Sequence, residues 1–508
     1  MSTIEIPSVS AFVPQKATRK DWLGLAVIAL PCMLYSMDLT VLNLAVPQID
    51  VSLRPSAAQM LWIVDIYGFM VAGALITMGT LGDRIGRRRL LMIGAVAFGA
   101  ASVLAAFSTS ATMLIVARAL LGLAAATLAP STLSLISNMF HDPHERTFAI
   151  SVWIASFSAG AAIGPVVGGV LLNWFWWGSV FLIAVPVMVL LLVLAPLLLP
   201  EYRSPEAGRL DLTSAALSVL AVLGVIYGVK AAAEGGLDMQ SLAIMTAGLA
   251  AGWIFVRRQT RLDDPLIDLS LLQVPAFSAS LGVNLVSFFV AFGSFLLIAL
   301  YLQLVLGLSP LMAGIWSLPS AVGFIIGAMA APAMVGSVRP AYVMAMGLTV
   351  AACGFALLSV AVGAFSLPLT VSALFILSIG LAPVFALATD LIIGAAPGDR
   401  AGSAAGMAET SSELGGALGI ALLGSLVTAL YRLNLGGAVP ANAAMESTGT
   451  VGTALVEAEA LGGYAGETLA AAARVAFAQG MSMAAMICAV IALVAAGVTA
   501  RVLRRVGQ

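Results

Sequence analysis

The sequence predicts an all-α integral membrane protein with fourteen transmembrane helices. Apolar runs of about eighteen residues or more recur along the whole chain, each long enough to cross roughly 30 Å of hydrocarbon. Hydrophobic residues make up 61% and charged residues 9% of 508, against about 45–50% and about 25% in soluble domains. Lysine and arginine alternate between successive connecting loops, as the positive-inside bias requires. The net charge of −1 points to no nucleic acid and no acidic partner.

The polar start carries Lys16, Arg19 and Lys20 and has no cleavage-like site, so the first apolar run reads as an uncleaved span. Spans are expected near 22–48, 57–79, 89–108, 111–137, 147–172, 178–199, 211–230, 239–257, 275–306, 311–335, 340–364, 367–395, 403–431 and 474–500. Of 23 lysines and arginines, 18 fall at the termini and in the even-to-odd loops, Arg54, Lys230, Arg432 and Arg474 fall in the opposite loops, and Arg118 lies within a span. Both termini are therefore expected in the cytoplasm, with the chain in the inner membrane. Residues 432–473 form a long external stretch rich in Ala, Gly and Glu without a sustained apolar period. No loop is long enough for a soluble catalytic domain. No Walker-type phosphate loop occurs, so an ion gradient rather than ATP is the expected energy source, without a cofactor. The three cysteines, Cys32, Cys353 and Cys488, all lie in apolar runs and suggest neither a disulfide framework nor a metal site.

Between spans 2 and 3 the chain reads "GTLGDRIGRRR" (79–89). Positive-inside bias alone accounts for Arg84, Arg87, Arg88 and Arg89, but not for Gly79, Gly82, Asp83 and Gly86 at fixed spacing in a short turn. The stretch resembles the loop 2–3 signature of the major facilitator superfamily, G-x-x-x-D-R-x-G-R followed by two basic residues. In "VARALLGLAAA" (116–126), Arg118 stands four residues before Gly122, similar to that superfamily's R-x-x-x-G motif. "GAAIGPVVGG" (160–169), with Gly160, Gly164, Pro165, Gly168 and Gly169, resembles its antiporter signature. "MDLTVLNLAVP" (37–47) and "DDPLIDLSLL" (263–272) resemble segments of the fourteen-helix drug:proton antiporters of the QacA/EmrB type. Two departures stand out. Ala184 in "VFLIAVP" (180–186) replaces an asparagine that many members carry, and span 10 contains no carboxylate.

The resemblance implies a major facilitator fold: a six-helix bundle over 1–200, an inserted helix pair over 201–265 and a second bundle over 266–508. It also implies that Asp83 and the arginines of the opening loop are a gate latch fastening one bundle against the other. Internal repetition is faint. "GSVRP" (336–340) stands where a second copy of that loop would be and keeps one arginine.

Ionisable groups within spans are costly and mark function. At 1.5 Å per residue, Asp65 and Arg118 lie roughly 12 and 10 Å from the outer face, and Asp38 lies in the outer half of span 1, so the three can share one level. They are candidates for proton coupling; the plain alternative for Arg118 is a structural ion pair with Asp38 or Asp65. The two readings are compatible, because a carboxylate that alternates between an arginine and a proton is a coupling device. Glu409 and Glu413 stand at i, i+4 on one face of span 13, roughly 9 and 15 Å from the inner boundary, and suit protonation or capture of an organic cation. Asp390 is a third substrate-binding candidate, with an end-of-helix acid as the alternative. The glycine face of span 5 could equally serve close helix packing. "NWFWWG" (173–178) reads as an interfacial aromatic belt, and His141 and His144 as solvated loop residues. The 22 methionines and 21 phenylalanines suit an adaptable apolar cavity.

The leading expectation is a monomeric, proton-driven exporter of lipophilic cations such as quaternary ammonium compounds and dyes. The alternative is an exporter dedicated to one antibiotic or metabolite. A membrane scaffold or sensor would not need carboxylates buried in spans 1, 2 and 13. No HExxH, serine–histidine set or metal cluster occurs in the spans, so an enzyme is not expected.

Overall fold

Caps and breakers set where the helices begin and end. Ser110, Ser309 and Ser366 each accept the N3 backbone amide as N-cap residues, and Asp142 accepts the His144 and Glu145 amides behind Pro143. In the computed structural model the described residues are 16–55, 57–203, 211–235, 239–262, 265, 267, 269–397, 401–435 and 450–505, and among them there is no strand.

The helices are α1 (Arg19–Leu53), α2 (Ala57–Ile85), α3 (Arg87–Ala106), α4 (Ala111–Met139), α5 (Pro143–Trp174), the short α6 (Ser179–Leu182) and α7 (Ala184–Leu198). An intervening pair, α8 (Leu212–Gly235) and α9 (Met239–Gln259), is followed by α10 (Pro275–Leu300), α11 (Pro310–Val335), α12 (Pro340–Gly363) and α13 (Leu367–Gly394). The chain ends in α14 (Ala401–Leu435), α15 (Val451–Leu461) and α16 (Gly463–Val502).

Among the described residues twelve helices are long and apolar enough to cross a membrane, or thirteen counting α2, which bends by 54° between 66–75 and 77–85. Over the expected span 211–230 the apolar helix is shorter, Thr213–Gly228. Within α8 (Leu212–Gly235) this is the part described to its side chains, so twelve or thirteen is the count among the described residues. The stretch 432–473 also differs from the loop expected. α14 runs on to Leu435, Thr450 starts α15 through a reciprocal capping box with Thr453, and Gly462 at φ +59° separates α15 from α16. Alanine and glutamate are strong helix formers even without an apolar period. Residues 436–449 of that stretch lie outside the described residues.

On the N-terminal side α1 packs on α5, α2 on α4, and α3 on α4 and α7. On the C-terminal side α10 packs on α14, and α12 on α13 and α16. The two sides meet where α2 and α4 touch α14 and where α5 touches α11 and α13. α8 pairs with α9 and rests on both α2 and α14.

A repeat invisible in the loops shows in the packing. A Cβ on Gly160, Gly164 or Gly168 of α5 would collide with Met33, Thr40 or Val41 of α1. A Cβ on Gly415 or Gly419 of α14 would collide with the carbonyls of Leu285 or Phe289 of α10. Each side thus holds one glycine-faced helix tightly against its first helix.

The start of α1 and the end of α16 lie on one face. The Ala17 amide donates to Glu145 at 2.7 Å, and Arg339 donates to the Arg504 carbonyl at 2.9 Å.

Candidate functional site

The Arg118 side chain is 1% exposed and forms an ion pair with Asp38 of α1. Its Nε donates to the Ile63 carbonyl at 3.1 Å and its Nη2 to that of Val64 at 3.5 Å, both on α2. The guanidinium also lies 4.7 Å from the centre of the Tyr67 ring, within cation–π range. Gly122 explains the spacing of its motif. A Cβ there would strike the Tyr67 carbonyl, so glycine one turn beyond Arg118 brings α2 near enough to supply its carbonyls. The expected Arg118–Asp38 pairing is therefore present. The side chain of Asp65 lies outside the described residues.

Tyr67 and Tyr35 carry the array toward the C-terminal side. Their ring centres are 6.0 Å apart, and Tyr35 sits edge-on to Phe157 at 5.5 Å. The Tyr35 hydroxyl donates to Glu413 of α14 at 3.0 Å. Asn284 of α10 turns α14 to this face by donating to the Ala408 carbonyl at 3.1 Å and to Ser412 Oγ at 2.9 Å. Glu409, one turn before Glu413, forms no hydrogen bond or ion pair among the described residues. Both are half-buried, and two carboxylates on one face repel each other unless a cation lies near them. Asp38–Arg118 and Glu409–Glu413, on opposite sides of the molecule, are thus brought into one array.

The opening loop is built around two glycines. Gly86 has φ +111° and precedes α3, and a Cβ there would press on Glu201. A Cβ on Gly82 would press on the Arg87 guanidinium, which pairs with Asp83 across the turn. Arg88 donates through its amide to Glu201 at 3.1 Å and through its side chain to the Leu199 carbonyl at 3.0 Å. The Arg87 amide donates to the Tyr202 carbonyl at 3.0 Å. These contacts tie the α2–α3 turn to the chain just after α7. Gly79 and Arg84 are buried in the end of α2 and Arg89 is exposed.

An ion pair between the two sides lies elsewhere. Arg146 at the start of α5 bonds to Asp390 near the end of α13 at 2.7 Å, and Thr147 donates to the same carboxylate at 2.8 Å. Asp390 is therefore at the terminus-bearing end of the seam, and its partners are on α5 rather than among the α14 carboxylates.

In the antiporter-like segment, Gly160, Gly164 and Gly168 face α1, whereas Gly169 is exposed with open space around it. The side chain of Pro165 lies outside the described residues. Trp174, Phe175 and Trp176 are exposed, as an interfacial belt would be, and His141 and His144 are exposed too. No group of three His, Cys, Asp or Glu that could hold a metal occurs among the described residues.

Sequence reasoning missed Tyr35, Tyr67, Glu201 and the Arg146–Asp390 pairing. A signal existed for Tyr35: it stands three residues before Asp38 on α1, one turn away on the same face. Glu201 and Arg146 carried none, because their partners are more than a hundred residues distant.

Comparison with known proteins agrees with this geometry. The Major Facilitator Superfamily profile matches residues 28–420. The multidrug efflux pump LfrA of Mycolicibacterium smegmatis is 42% identical over 490 residues, spanning 96% of this chain and 97% of its own length. The methyl viologen resistance protein SmvA of Salmonella typhimurium is 34% identical over 90% of this chain and 93% of its own. The tetracenomycin C resistance and export protein of Streptomyces glaucescens is 31% identical over 98% and 94%. Among solved structures, the human organic anion transporter MFSD10 superposes with a TM-score of 0.63 at 14% identity, covering 94% of this chain and all of that one. A double tryptophan mutant of XylE gives the same score and identity over 95% and 96%. With its helices, its buried ion pair and its relatives in agreement, this chain is a multi-pass membrane protein of the major facilitator superfamily, a family of transporters and not of enzymes.

Proposed function

We propose that this chain is a proton-coupled multidrug antiporter that exports lipophilic cations by alternating access. The observation that carries the reading is the array Asp38–Arg118–Tyr67–Tyr35–Glu413, which joins a releasable carboxylate–arginine pair to two half-buried carboxylates. A proton arriving at Asp38 removes the charge that holds Arg118, and the ion pair opens. On the other side, Glu409 and Glu413 offer an outgoing monocation the counter-charge they lack, with Tyr35, Tyr67 and Phe157 as aromatic surface. Relatives named as a multidrug efflux pump and a methyl viologen resistance protein support drug efflux.

The finer arrangement belongs to the same proposal: fourteen spans, both termini cytoplasmic, a helix pair inserted at 201–265 between bundles 1–200 and 266–508, and a monomer in the cell membrane. The opening loop acts as a gating element by fixing the α2–α3 turn to Glu201, and Asp65 assists Arg118.

In liposomes loaded with ethidium, native protein should expel the dye under an imposed pH gradient, and a protonophore should stop it. Asp38→Asn should abolish uphill efflux while the protein still inserts and folds; uphill pumping at the native rate would defeat the coupling role. A second reading, a dedicated exporter, is favoured by the tetracenomycin C export relative. Transport of one compound from a panel of unrelated cations, and of none of the others, would decide for it.

A further inference from the structure

We propose that Tyr35 is the latch that keeps the empty transporter from switching, by holding α1 to α14 through Glu413 until a cation or a proton takes that carboxylate. The proposal rests on the antiporter reading and names how its site is regulated.

Four observations carry it. First, the bond runs between the two sides of the molecule, from a phenol on α1 to a carboxylate on α14 at 3.0 Å. Second, among the described residues α1 and α14 do not form a closely packed helix pair, whereas α2 and α4 both are packed on α14. The Tyr35–Glu413 bond is thus a polar link between helices that no tight interface holds together among the described residues, and it can break without parting one. Third, the ring is held on its own side, edge-on to Phe157 at 5.5 Å and tilted on Tyr67 at 6.0 Å, so losing Glu413 leaves it seated. Fourth, Tyr35 and Asp38 share one face of α1, and the Arg118 that pairs with Asp38 lies over Tyr67. A movement of α1 that opens one contact therefore bears on the other.

The groups around this hydroxyl are few. α14 supplies Glu413 and Glu409, α2 supplies Tyr67, α4 supplies Arg118 beyond Tyr67, and α1 itself supplies Asp38. The α5 contact, Phe157, is uncharged. Among the described residues the Tyr67 hydroxyl has no hydrogen-bond partner, although its residue is fully buried.

The physics gives the latch its trigger. A hydrogen bond to an ionised carboxylate is roughly twice as strong as one between neutral groups. Once Glu413 takes a proton the bond to Tyr35 falls to the weaker class, and a bound monocation that draws the carboxylate toward itself pulls it off the Tyr35 hydroxyl. Cargo or proton thereby releases α1 from α14, and the empty site stays shut. Such a latch suppresses proton flow without cargo, the leak that an antiporter has to avoid.

Tyr35→Phe keeps the ring and removes the hydroxyl. In liposomes under a pH gradient without ethidium, this variant should pass protons about 5- to 10-fold faster than native protein. Its gradient-driven ethidium efflux should fall about 10-fold in Vmax, while KM stays within about 3-fold. Adding Glu413→Gln to Tyr35→Phe should raise the leak no further than Tyr35→Phe alone, because both act on one bond. Native leak and native Vmax in Tyr35→Phe would overturn the proposal. If Tyr35→Phe does not fold, Glu413→Gln with Tyr35 in place serves instead: it leaves only the weak neutral bond and should leak, and a tight variant would overturn the latch. If native protein shows no gradient-driven efflux of ethidium or of any cation in the panel, the functional reading fails and not the latch.

Discussion

Arg118 has four partners from two helices: Asp38 of α1, and the carbonyls of Ile63 and Val64 and the face of Tyr67 on α2. A guanidinium can serve them together because it is planar, forked and weakly hydrated, whereas an ammonium is a compact point charge. Arg118→Lys should therefore keep the charge yet lose gradient-driven efflux by at least about 10-fold, with thermal stability lowered as the fork's carbonyl bonds go. A liposome efflux assay with a parallel melting curve checks this; native efflux would show that charge alone suffices. At this scale the sequence was legible for groups whose cost is intrinsic. A charge inside a span announces itself, so Asp38, Arg118, Glu409 and Glu413 could be named in advance. Tyr35 and Tyr67 could not, since a tyrosine in an apolar helix is inexpensive and its role comes from what lies opposite.

At the scale of the element, the bare face of α5 sets how near α1 can come. Even a methyl group at Gly160 would run into the Met33 carbonyl, and backbone cannot step aside as a flexible side chain can. Gly160→Val should cost about 1–3 kcal/mol, as overpacking does, seen as a lowered melting temperature and lower yield. Unchanged melting would mean that α1 and α5 separate freely. The α8–α9 pair is fixed differently, by a polar clasp between the start of α8 and the end of α9. Asp211 caps α8 by accepting from the Thr213 and Ser214 amides at 3.0 and 3.3 Å, and pairs with Arg258 of α9 at 2.8 Å. Burial works against its charge, yet the bonds from Ser214 and Arg258 prevail and hold the carboxyl below its ordinary value of 3.8. A depressed carboxyl stabilises fully above the ordinary value and loses that contribution only as pH falls through its lower folded value. The clasp should thus be constant at neutral pH and fail only in strong acid. Asp211→Ala should cost about 1 kcal/mol for the lost cap, while Asp211→Asn keeps part of the cap and removes this acid dependence. Melting curves at pH 7 and pH 3 check both. α15 was the element least legible in advance, because its alanines and glutamates fold through propensity and a threonine cap rather than through apolar periodicity.

For the whole molecule, the terminus-bearing end of the seam is shut by α5 against α11 and α13. Arg146 and Asp390 pair there, and a Cβ on Gly336 would stand 3.6 Å from His144 Cε1. The structure is therefore closed on that face. Cysteines introduced by His144→Cys and Gly336→Cys, with Cys32, Cys353 and Cys488 replaced, should form a disulfide on mild oxidation. That disulfide should arrest efflux, and a reductant should restore it. A pair that cross-links while efflux continues at the native rate would show that this face does not open during transport. The architecture was legible from the apolar runs and motifs because a bilayer permits so few solutions to backbone hydrogen bonding. The seam was not, since its contacts join residues such as Arg146 and Asp390 that nothing in the linear order connects.

One arrangement at that scale also bears on the surrounding lipid. Phe69 and Ala72 of α2, Ile226 of α8 and Leu414 and Ala417 of α14 form one apolar cluster, so α8 lies across the line where the two sides of the transporter meet. A two-sided rocker would otherwise present two equivalent flanks to the bilayer. Among the described residues α8 shutters one flank, and neither α8 nor α9 packs on its counterpart between α5 and α11. For cargo already dissolved among acyl chains, the molecule has a front and a back within the membrane plane, and the direction of approach is chosen before any charge is read.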